Sequence, residues 1–395
     1  MKTDNMVMLS DVIEFNPRES LAKGMLAPKI GMEALVPHCK KTTGYSMEEY
    51  KGGAKFRNGD TVMARITPCL ENGKTAYIDS LPENAIGFGS TEYIVMRAKP
   101  GKCIPEFVYY LACSDFVRLP AIKSMAGSSG RQRVQQDVVE KIEINLPPLS
   151  EQERVVEILG TIDAKIDNNS KKIEELKRLQ STLFNSWFVN FSHFNDQEFV
   201  LSDLGMIPEG WSIKLLNEVT TNIREKAGGT EYPVFSAVNT GNLQLSEDYF
   251  SKQVFSKDTS KYIVVRENDF AYNPARVNIG SIGKNDFGYV GCVSPVYVVF
   301  RTEDGYSNYF ERFVKSARFK EEVITRATGS VRQSMNYSEF GLIQVAYPPK
   351  YIVAEFNGIY DPITENIEEL MAENENLQRL LMTLLPEIVD CGNSL

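Results

Sequence analysis

The stretch RITPCLENGKTAYID (65–79) contains Gly73, Lys74 and Thr75, which resemble the end of a nucleotide-binding loop. A phosphate loop of this kind needs a glycine, four residues and then Gly-Lys-Ser/Thr. Pro68 stands where the first glycine should be, and proline lacks the N–H group and backbone freedom that a phosphate cradle needs. The residues that follow, AYID, indicate a strand rather than a helix pointing at phosphate. The sequence therefore predicts a loop between strands.

Other catalytic motifs are also missing from the sequence. Adenine methyltransferases use an Asn/Asp-Pro-Pro-aromatic motif, whereas LPPLS and YPPKY lack the leading Asn or Asp. The chain has two histidines, His38 and His193, which disfavours histidine-rich metal sites and a Ser-His-Asp triad. No Asp/Glu/Lys cluster of nuclease type stands out. We therefore expect a non-catalytic chain without a metal.

The composition is that of a soluble protein with more than one domain. Hydrophobic residues make up 43% and charged residues 24% of the chain, as in soluble globular proteins. A length of 395 residues exceeds that of one ordinary hydrophobic core. No apolar run approaches the roughly 20 residues that cross a membrane. The N-terminus lacks the apolar stretch of a signal peptide. Six scattered cysteines without a C-x-x-C pair favour free thiols in a reducing cytoplasm.

The negative charge is concentrated at the C-terminal end. Residues 350–395 hold two basic and nine acidic side chains, hence −7 of the net charge of −9. A basic face elsewhere remains possible, and an acidic tail helix indicates a protein partner.

An internal repeat organises the chain, with counterparts about 200 residues apart. The matching segments are NGDTVMAR and ENDFAYNPAR, STEYIVMR and SPVYVVFR, and GSSGRQRV and TGSVRQSM. Each copy runs through alternating strand patterns, a helical stretch, a Gly/Ser/Arg/Gln loop, a strand and a Pro-Pro break. A long helix closes each copy. The repeat predicts two similar mixed α/β domains, residues 1–149 and 193–349, and two helical regions, residues 150–192 and 350–395.

Both helical regions carry a heptad pattern with polar interruptions. Ser150 and Glu153 form a capping box at the start of the first. The main second helix is predicted to begin at about residue 361, with Pro362 at its first position. The predicted seam positions are Val155, Leu159, Ile162, Ile166, Asn169, Ile173, Leu176 and Leu183 in the first helix, and Ile363, Asn366, Leu370, Leu377, Leu380 and Leu384 in the second.

These helices either pack separately on their own domains or pair with each other. Their length, their shared 3.5-residue period and the matching Asn169 and Asn366 favour pairing, since a buried Asn often fixes register. A pseudo-twofold between the copies requires an antiparallel pair. The first helix could span about 55 Å, more than one DNA turn of about 34–36 Å. Two similar but unequal domains then suit an asymmetric, bipartite DNA site.

The sequence resembles the specificity subunits of type I restriction-modification systems over nearly its whole length. The resemblance is carried by LPPLSEQERVVEILGTIDAKIDNNSKKIEELKRLQSTLFNSWFVNF, GDTVMARITPCLENGKTAYI, GFGSTEYIVMR, IPEGW and TLLPEI. It implies two target-recognition domains joined by two helical regions. The second helical region departs from the family pattern, because PPKYIVAEF lacks the Ser-Glu-Gln start.

The resemblance also implies the partners. One specificity subunit would bind double-stranded DNA and two methyltransferase (modification) subunits, with restriction/translocase subunits joining them. S-adenosylmethionine, ATP and Mg²⁺ would lie on those partner subunits, and no cofactor is expected on this chain.

The expected DNA contacts lie in loops of both copies. Arg pairs well with guanine and Gln with adenine in the major groove, and phosphate contacts such as one from Lys74 should outnumber base contacts. The alternative is that these side chains are solvated or cap the fold internally. The candidates are Arg65, Thr67, Glu71, Asn72, Lys74, Ser128, Ser129, Arg131, Gln132 and Arg133 in the first copy, and Asn273, Arg276, Asn278, Ser281, Lys284, Ser330, Arg332 and Gln333 in the second.

Two other functions remain as alternatives to DNA recognition. A coiled-coil scaffold that binds only protein fits the repeat and the acidic tail, but it gives the Gly/Arg/Gln loops no purpose. A nucleotide-dependent enzyme would bind ATP through Lys74, which the loop sequence argues against.

Overall fold

The computed structural model describes residues 6–128, 130–250, 255–326 and 334–389. The chain forms two compact units. The first unit comprises residues 1–174 and 368–395, and the second comprises residues 175–367. The division passes through both long helices, Leu149–Phe184 and Lys350–Val389. The mixed α/β fold with two long helices that the repeat predicts is therefore confirmed.

A four-stranded antiparallel sheet forms the centre of the first unit. Its strand order is Ile13–Phe15, Tyr93–Ala98, Thr61–Ala64 and Thr75–Tyr77. The third strand is buried at every position, and Tyr93–Ala98 is buried over its first four residues, which explains their continuous apolar sequence.

Shorter elements surround this sheet. A second sheet has the order Ser46–Glu49, Leu26–Ile30, Gly87–Gly89 and Lys55–Phe56. Met6–Met8 pairs with Glu143–Asn145. The helices are Leu9–Val12, Pro105–Cys113, Asp115–Lys123 and Gln136–Glu140, with a 3-10 turn at Met32–Ala34. Helix Pro105–Cys113 is almost entirely buried.

The second unit repeats the central sheet. Its strands follow the same order, Thr220–Ile223, Val298–Thr302, Phe270–Tyr272 and Ile282–Lys284. Ser212–Leu215 pairs with Gln344–Tyr347, as the terminal strands of the first unit pair. The remaining strands pair as Phe199–Ser202 with Gly205–Pro208, Phe235–Ala237 with Leu243–Leu245, and Ile263–Val265 with Gly291–Val293. The helices are Leu216–Val219, Ser246–Tyr249, Ser307–Phe313, Ala317–Arg326 and Tyr337–Phe340, with short turns at Asn185–Val189, Ser192–Phe194 and Val277–Ile279.

A buried ion pair recurs at the same place in both sheets. Arg97 donates from Nε and Nη2 to the two carboxylate oxygens of Asp60, both at 2.7 Å. Arg301 donates to Asp269 in the same way at 2.6 and 3.0 Å. Both aspartates are fully buried, and such a bidentate pair fixes the geometry of the strands that carry it. The duplication is therefore visible in side-chain contacts as well as in strand order.

The two long helices pair antiparallel within each unit. In the first unit, Asn169 Nδ2 donates to Glu373 Oε2 at 2.7 Å and Asn374 Oδ1 at 3.0 Å, while Leu159 shares a core with Leu385. In the second unit, Gln180 Nε2 donates to Thr364 Oγ1 at 2.8 Å, and Trp187 packs on Phe356 with ring centroids 5.8 Å apart.

The first-helix seam lies on the inner face. Val155, Leu159, Asn169 and Ile173 are buried, and Ile162, Ile166, Leu176 and Leu183 are half-buried. The helix begins at Leu149, one residue before the predicted Ser150 cap. Gln152 anchors this end instead, because its side chain is buried, accepts from the Ile104 amide and donates to the Pro147 carbonyl, both at 2.9 Å.

The second helix differs from its prediction at the start and in part of the seam. It begins at Lys350 and continues through Pro362, which is exposed. Its first turns are held by Ile352, Val353, Phe356 and Tyr360 in the core of the second unit, and this burial outweighs the missing hydrogen bond at the proline.

Two predicted seam residues of the second helix are corrected. Asn366 and Leu380 are exposed, whereas Ile367 and Leu381 are buried. Ile363, Leu370, Leu377 and Leu384 are half-buried as the seam requires. The polar partner of Asn169 is therefore Glu373 with Asn374. The inner positions after Ile363 and Leu377 lie four residues further on, where the prediction had counted three.

Candidate DNA interface

In the first unit, the Gly/Ser/Arg/Gln loop is joined to the end of strand Thr61–Ala64. The Gln132 amide donates to Thr67 Oγ1 at 3.0 Å, and the Thr67 amide donates to the Gln132 carbonyl at 3.0 Å. The Val134 amide donates to the Arg65 carbonyl at 2.8 Å. Two segments that the sequence nominated separately are therefore one structure, in which Thr67 is a positioning residue.

Glu92 links the two arginines of this structure. Arg133 donates to its carboxylate from Nε and Nη2 at 2.7–3.0 Å. Arg65 Nε lies 4.0 Å from Glu92 Oε2, and the Arg65 amide donates to the Glu92 carbonyl at 2.9 Å. Hydrogen bonds from Arg133 lower the pKa of Glu92, so the carboxylate stays ionised and holds both side chains in place.

The tip of the loop presents unpaired polar groups. Arg131 is exposed, Gln132 is half-buried, and neither side chain has a hydrogen-bond partner among the described residues. The Arg131 amide donates to the carbonyl of exposed Ser128 at 3.0 Å. Gly127 and Gly130 adopt positive φ values of 134° and 80°, as a tight loop requires. A fixed loop with open Arg and Gln side chains is suited to reading base edges.

The Gly-Lys-Thr stretch is a turn that leads into a strand. Gly73 has φ 75°, and a Cβ there would lie 2.3–2.6 Å from the His38 ring. Thr75 is buried in strand Thr75–Tyr77, so no helix N-terminus follows the lysine. The Lys74 ammonium donates to the Met32 carbonyl at 2.9 Å. This geometry removes the basis for a nucleotide loop.

Glu71 and Asn72 lie in the same turn, and both are exposed. The backbone carbonyl of Glu71 accepts a hydrogen bond from Arg118 Nη2 at 2.7 Å. The Glu71 carboxylate has no hydrogen-bond or ion-pair partner within the described residues. These two residues and Lys74 stay predictions as DNA contacts.

The second unit has a counterpart to one backbone hydrogen bond of this junction. The Met335 amide donates to the Pro274 carbonyl at 3.1 Å, at the position that Val134 and Arg65 occupy in the first copy. Asn273 Oδ1 accepts from the Ala275 amide at 3.1 Å and shapes this turn. Arg276 is exposed, and its side chain forms no hydrogen bond or ion pair with the part of the chain that is described. Asn278 is half-buried in Val277–Ile279.

Two candidates of the second copy are corrected. Ser281 is only 3% exposed, and its hydroxyl donates to the Ala237 carbonyl at 2.5 Å. The Lys284 side chain is only 9% exposed and lies 2.8 Å from Glu311 Oε2. Burial would raise the pKa of Glu311, but Lys284 and Lys315 outweigh it and hold that pKa at about 2. Ser281 and Lys284 therefore stabilise the fold and do not face DNA.

Four candidates, Ser129, Ser330, Arg332 and Gln333, lie outside the described residues. Among the residues that are described, no group of His, Cys, Asp or Glu could hold a metal. Cys39, Cys69, Cys103, Cys113 and Cys292 are free thiols. No helix in the described ranges is long and apolar enough to cross a membrane.

Sequence reasoning missed Glu92 and the Asp60–Arg97 pair. The available signal was the repeat itself, because Asp60 matches Asp269 and Arg97 matches Arg301. A charged residue retained inside an apolar strand of both copies indicates a buried pair. Glu92 had no such signal, since its second-copy counterpart is not acidic.

The comparisons with known proteins agree with this architecture. A family model described as the type I restriction modification DNA specificity domain matches residues 1–178. The MjaIX specificity subunit of Methanocaldococcus jannaschii is 23% identical over 304 residues, covering 72% of this chain and 68% of that protein. The HindI specificity subunit of Haemophilus influenzae is 21% identical over 431 residues, covering 89% and 90%.

A shorter match and a solved structure add to these. The EcoAI specificity subunit of Escherichia coli is 42% identical over 110 residues, covering 27% of this chain and 18% of that protein. The S subunit of a type I restriction-modification system from M. genitalium has the same fold, with a TM-score of 0.56 and 12% identity, covering 98% of this chain and 96% of that chain.

Residues 1–178 match the type I restriction modification DNA specificity domain. Over most of its length the chain is also similar to type I restriction-modification specificity subunits, whose solved structure shares its fold.

Proposed function

We propose that this chain reads an asymmetric, bipartite site on double-stranded DNA, with each copy of the domain contacting one half. The observation that carries the proposal is the junction of strand end and Arg/Gln loop, which holds Arg131 and Gln132 open on a fixed backbone. One backbone hydrogen bond of this junction has a counterpart in the second copy, from the Met335 amide to the Pro274 carbonyl. Because the neighbouring segments ITPCLENGK and VNIGSIGKND differ between the copies, the two half-sites should differ in sequence.

The chain acts without catalysis of its own in this proposal. It docks two methyltransferase subunits, which carry S-adenosylmethionine, and restriction subunits with ATP and Mg²⁺ join the same complex. Its place of action is the cytoplasm, where the host DNA lies. Support comes from the similarity to type I specificity subunits and from the long helices, whose exposed faces include Ile158, Met371 and Leu380.

Methylation mapping tests the proposal. The chain is co-expressed with its methyltransferase subunit, and host DNA is sequenced for methyladenine. A split, asymmetric motif with a fixed gap is expected. An unmethylated genome, with the complex intact and the partner binding its cofactor, would instead favour the protein-only scaffold.

A further inference from the structure

We propose that Arg18 and Arg224 contact backbone phosphates of duplex DNA, one in each unit. The proposal rests on the function above and names which part of the DNA these residues touch. Neither arginine lies in the loops considered so far.

A four-residue motif appears in both copies. Asn16-Pro17-Arg18-Glu19 corresponds to Asn222-Ile223-Arg224-Glu225, an Asn-x-Arg-Glu pattern. The first segment follows strand Ile13–Phe15, and the second includes the last two residues of strand Thr220–Ile223. In each copy the arginine directly precedes a glutamate that pairs with an equivalent arginine, Arg57 or Arg266, and this shared setting indicates a shared role.

The glutamate of each motif is already neutralised by another arginine. Glu19 Oε2 lies 2.6 Å from Arg57 Nη2, and Glu19 Oε1 lies 2.8 Å from Arg97 Nη1. The Glu19 side chain is 3% exposed. Glu225 lies 2.8 Å from Arg266. Arg57 and Arg266 precede the buried aspartates by three residues in both copies. The carboxylate nearest to each proposed contact is therefore engaged elsewhere.

Arg18 and Arg224 are consequently left with open guanidinium groups. Both are exposed, and neither forms a hydrogen bond or an ion pair with any residue that the structure describes. The backbone of the first motif is held firmly, because Asn16 Oδ1 accepts from the Val95 amide at 2.9 Å and Asn16 Nδ2 donates to Gln136 at 2.7 Å. An exposed, unpaired guanidinium on a fixed backbone suits a phosphate contact.

A basic cleft of about 560 Å³ surrounds Arg18. Lys55 and Arg65 also line it, and Glu19 is its one acidic lining residue. The Lys55 ammonium donates to the Glu19 carbonyl at 2.8 Å and keeps two donors. The Arg65 side chain is 31% exposed, and its Nε lies 4.0 Å from Glu92 Oε2. The cleft therefore combines the open guanidinium of Arg18 with two further cations.

A phosphodiester oxygen is the ligand that this chemistry fits. Arginine binds phosphate strongly through its planar donors, and basic side chains outnumber the one acidic side chain in the lining of the cleft. Arg65 also belongs to the Thr67–Gln132 junction, so the cleft is continuous with the loop that presents Arg131. Phosphate contacts there would set the position from which the loop reads bases.

The test uses the full complex with its methyltransferase subunits, carrying Arg18→Ala, Arg224→Ala or both. The probes are a duplex with the motif found by methylation mapping and a shuffled duplex. We expect equal fold-losses of affinity on both duplexes. The slope of log affinity against log salt should shrink in magnitude by about 0.9 for each phosphate that the variant no longer binds.

Lys320→Ala is the control, because Lys320 is exposed on helix Ala317–Arg326 and its side chain has no hydrogen-bond or ion-pair partner within the described ranges. It should leave the salt slope unchanged. An unchanged slope in Arg18→Ala and Arg224→Ala, or a loss confined to the cognate duplex, would overturn the inference. So would competition by millimolar inorganic phosphate, which would indicate a free-phosphate site. Failure of the wild-type complex to bind either duplex would overturn the proposed function as well.

Discussion

At the residue scale, Glu92 is the restraint on the arginines of the first unit. Its carboxylate holds Arg133 through charge-assisted hydrogen bonds and lies 4.0 Å from Arg65 Nε. An arginine that is held in this way contacts DNA only where the geometry matches. An arginine that is released binds any nearby phosphate. The carboxylate therefore favours specificity over affinity.

Neutralising Glu92 should relax recognition. In Glu92→Gln the side-chain shape is kept but the charge that holds Arg133 is removed, so we expect binding to shuffled duplex to strengthen. The ratio of cognate to shuffled affinity should fall about tenfold, equivalent to one charge-assisted hydrogen bond. Electrophoretic mobility shifts on both duplexes measure this ratio. Glu71→Gln, which removes an exposed carboxylate of the neighbouring turn, should change it little, and equal ratios in the two variants would contradict the role of Glu92.

The Glu311 carboxylate should make stability depend on pH. Its pKa of about 2 lies below the ordinary 4.5, so its contribution is complete above pH 4.5 and is lost as pH falls toward 2. Glu311→Gln leaves Lys284 buried without its charged partner and should cost about 3 kcal/mol at pH 7.

Thermal unfolding of wild type and Glu311→Gln between pH 7 and pH 3 measures the difference. The gap should narrow below pH 4.5. Glu321→Gln, on the exposed surface of helix Ala317–Arg326, should show no gap at any pH. A gap for Glu311→Gln that stays constant down to pH 3 would show that Glu311 is not held in its charged form by the lysines.

At the scale of elements, Pro362 is the departure from sequence rules. Proline in a helix interior is less favourable than alanine by about 3 kcal/mol, yet the second helix continues through it. The exposed proline keeps its ring in solvent, and aromatic burial at Phe356 and Tyr360 holds the preceding turns. Sequence reasoning therefore placed the helix start too late.

Replacing this proline should stabilise the chain. Pro362→Ala restores one helical hydrogen bond and removes the clash with the preceding turn, so we expect a free energy of unfolding higher by about 1–3 kcal/mol. Urea unfolding followed by circular dichroism measures it. Pro105→Ala is the control, because Pro105 stands at the first position of its helix, where proline is well tolerated. A destabilised Pro362→Ala would mean that the helix needs the bend of a proline there.

The heptad pattern could be predicted only in part, for a physical reason. In the first helix the predicted seam lies on the inner face, because the cap and the apolar positions begin together at the Pro-Pro break. In the second, the prediction took a three-residue step after Ile363 and after Leu377, whereas the inner face of the helix takes a four-residue step at both places. Ile367 and Leu381 are consequently buried in place of Asn366 and Leu380.

At the scale of the whole molecule, the duplication was the strongest signal in the sequence. It predicted two copies of one α/β domain, and the two sheets share their strand order. It did not predict which loop residues are open, because exposure depends on long-range contacts. Ser281 and Lys284 were predicted in an open loop, yet contacts with Ala237 and Glu311 bury them. Thr67 was predicted to contact DNA, yet its hydroxyl orders the loop that presents Gln132.

We infer that each copy of the domain reads its own half of the DNA site. Methylation maps of two variants, one in each copy, test this inference. Gln132→Ala and Arg276→Ala each remove one open side chain, one from each copy, and each is co-expressed with the methyltransferase subunit. We expect each variant to relax a different half of the split motif, by about 1–3 kcal/mol of discrimination at the affected position, and to leave the gap and the other half unchanged. Both variants altering the same half, or both halves fading together, would contradict it.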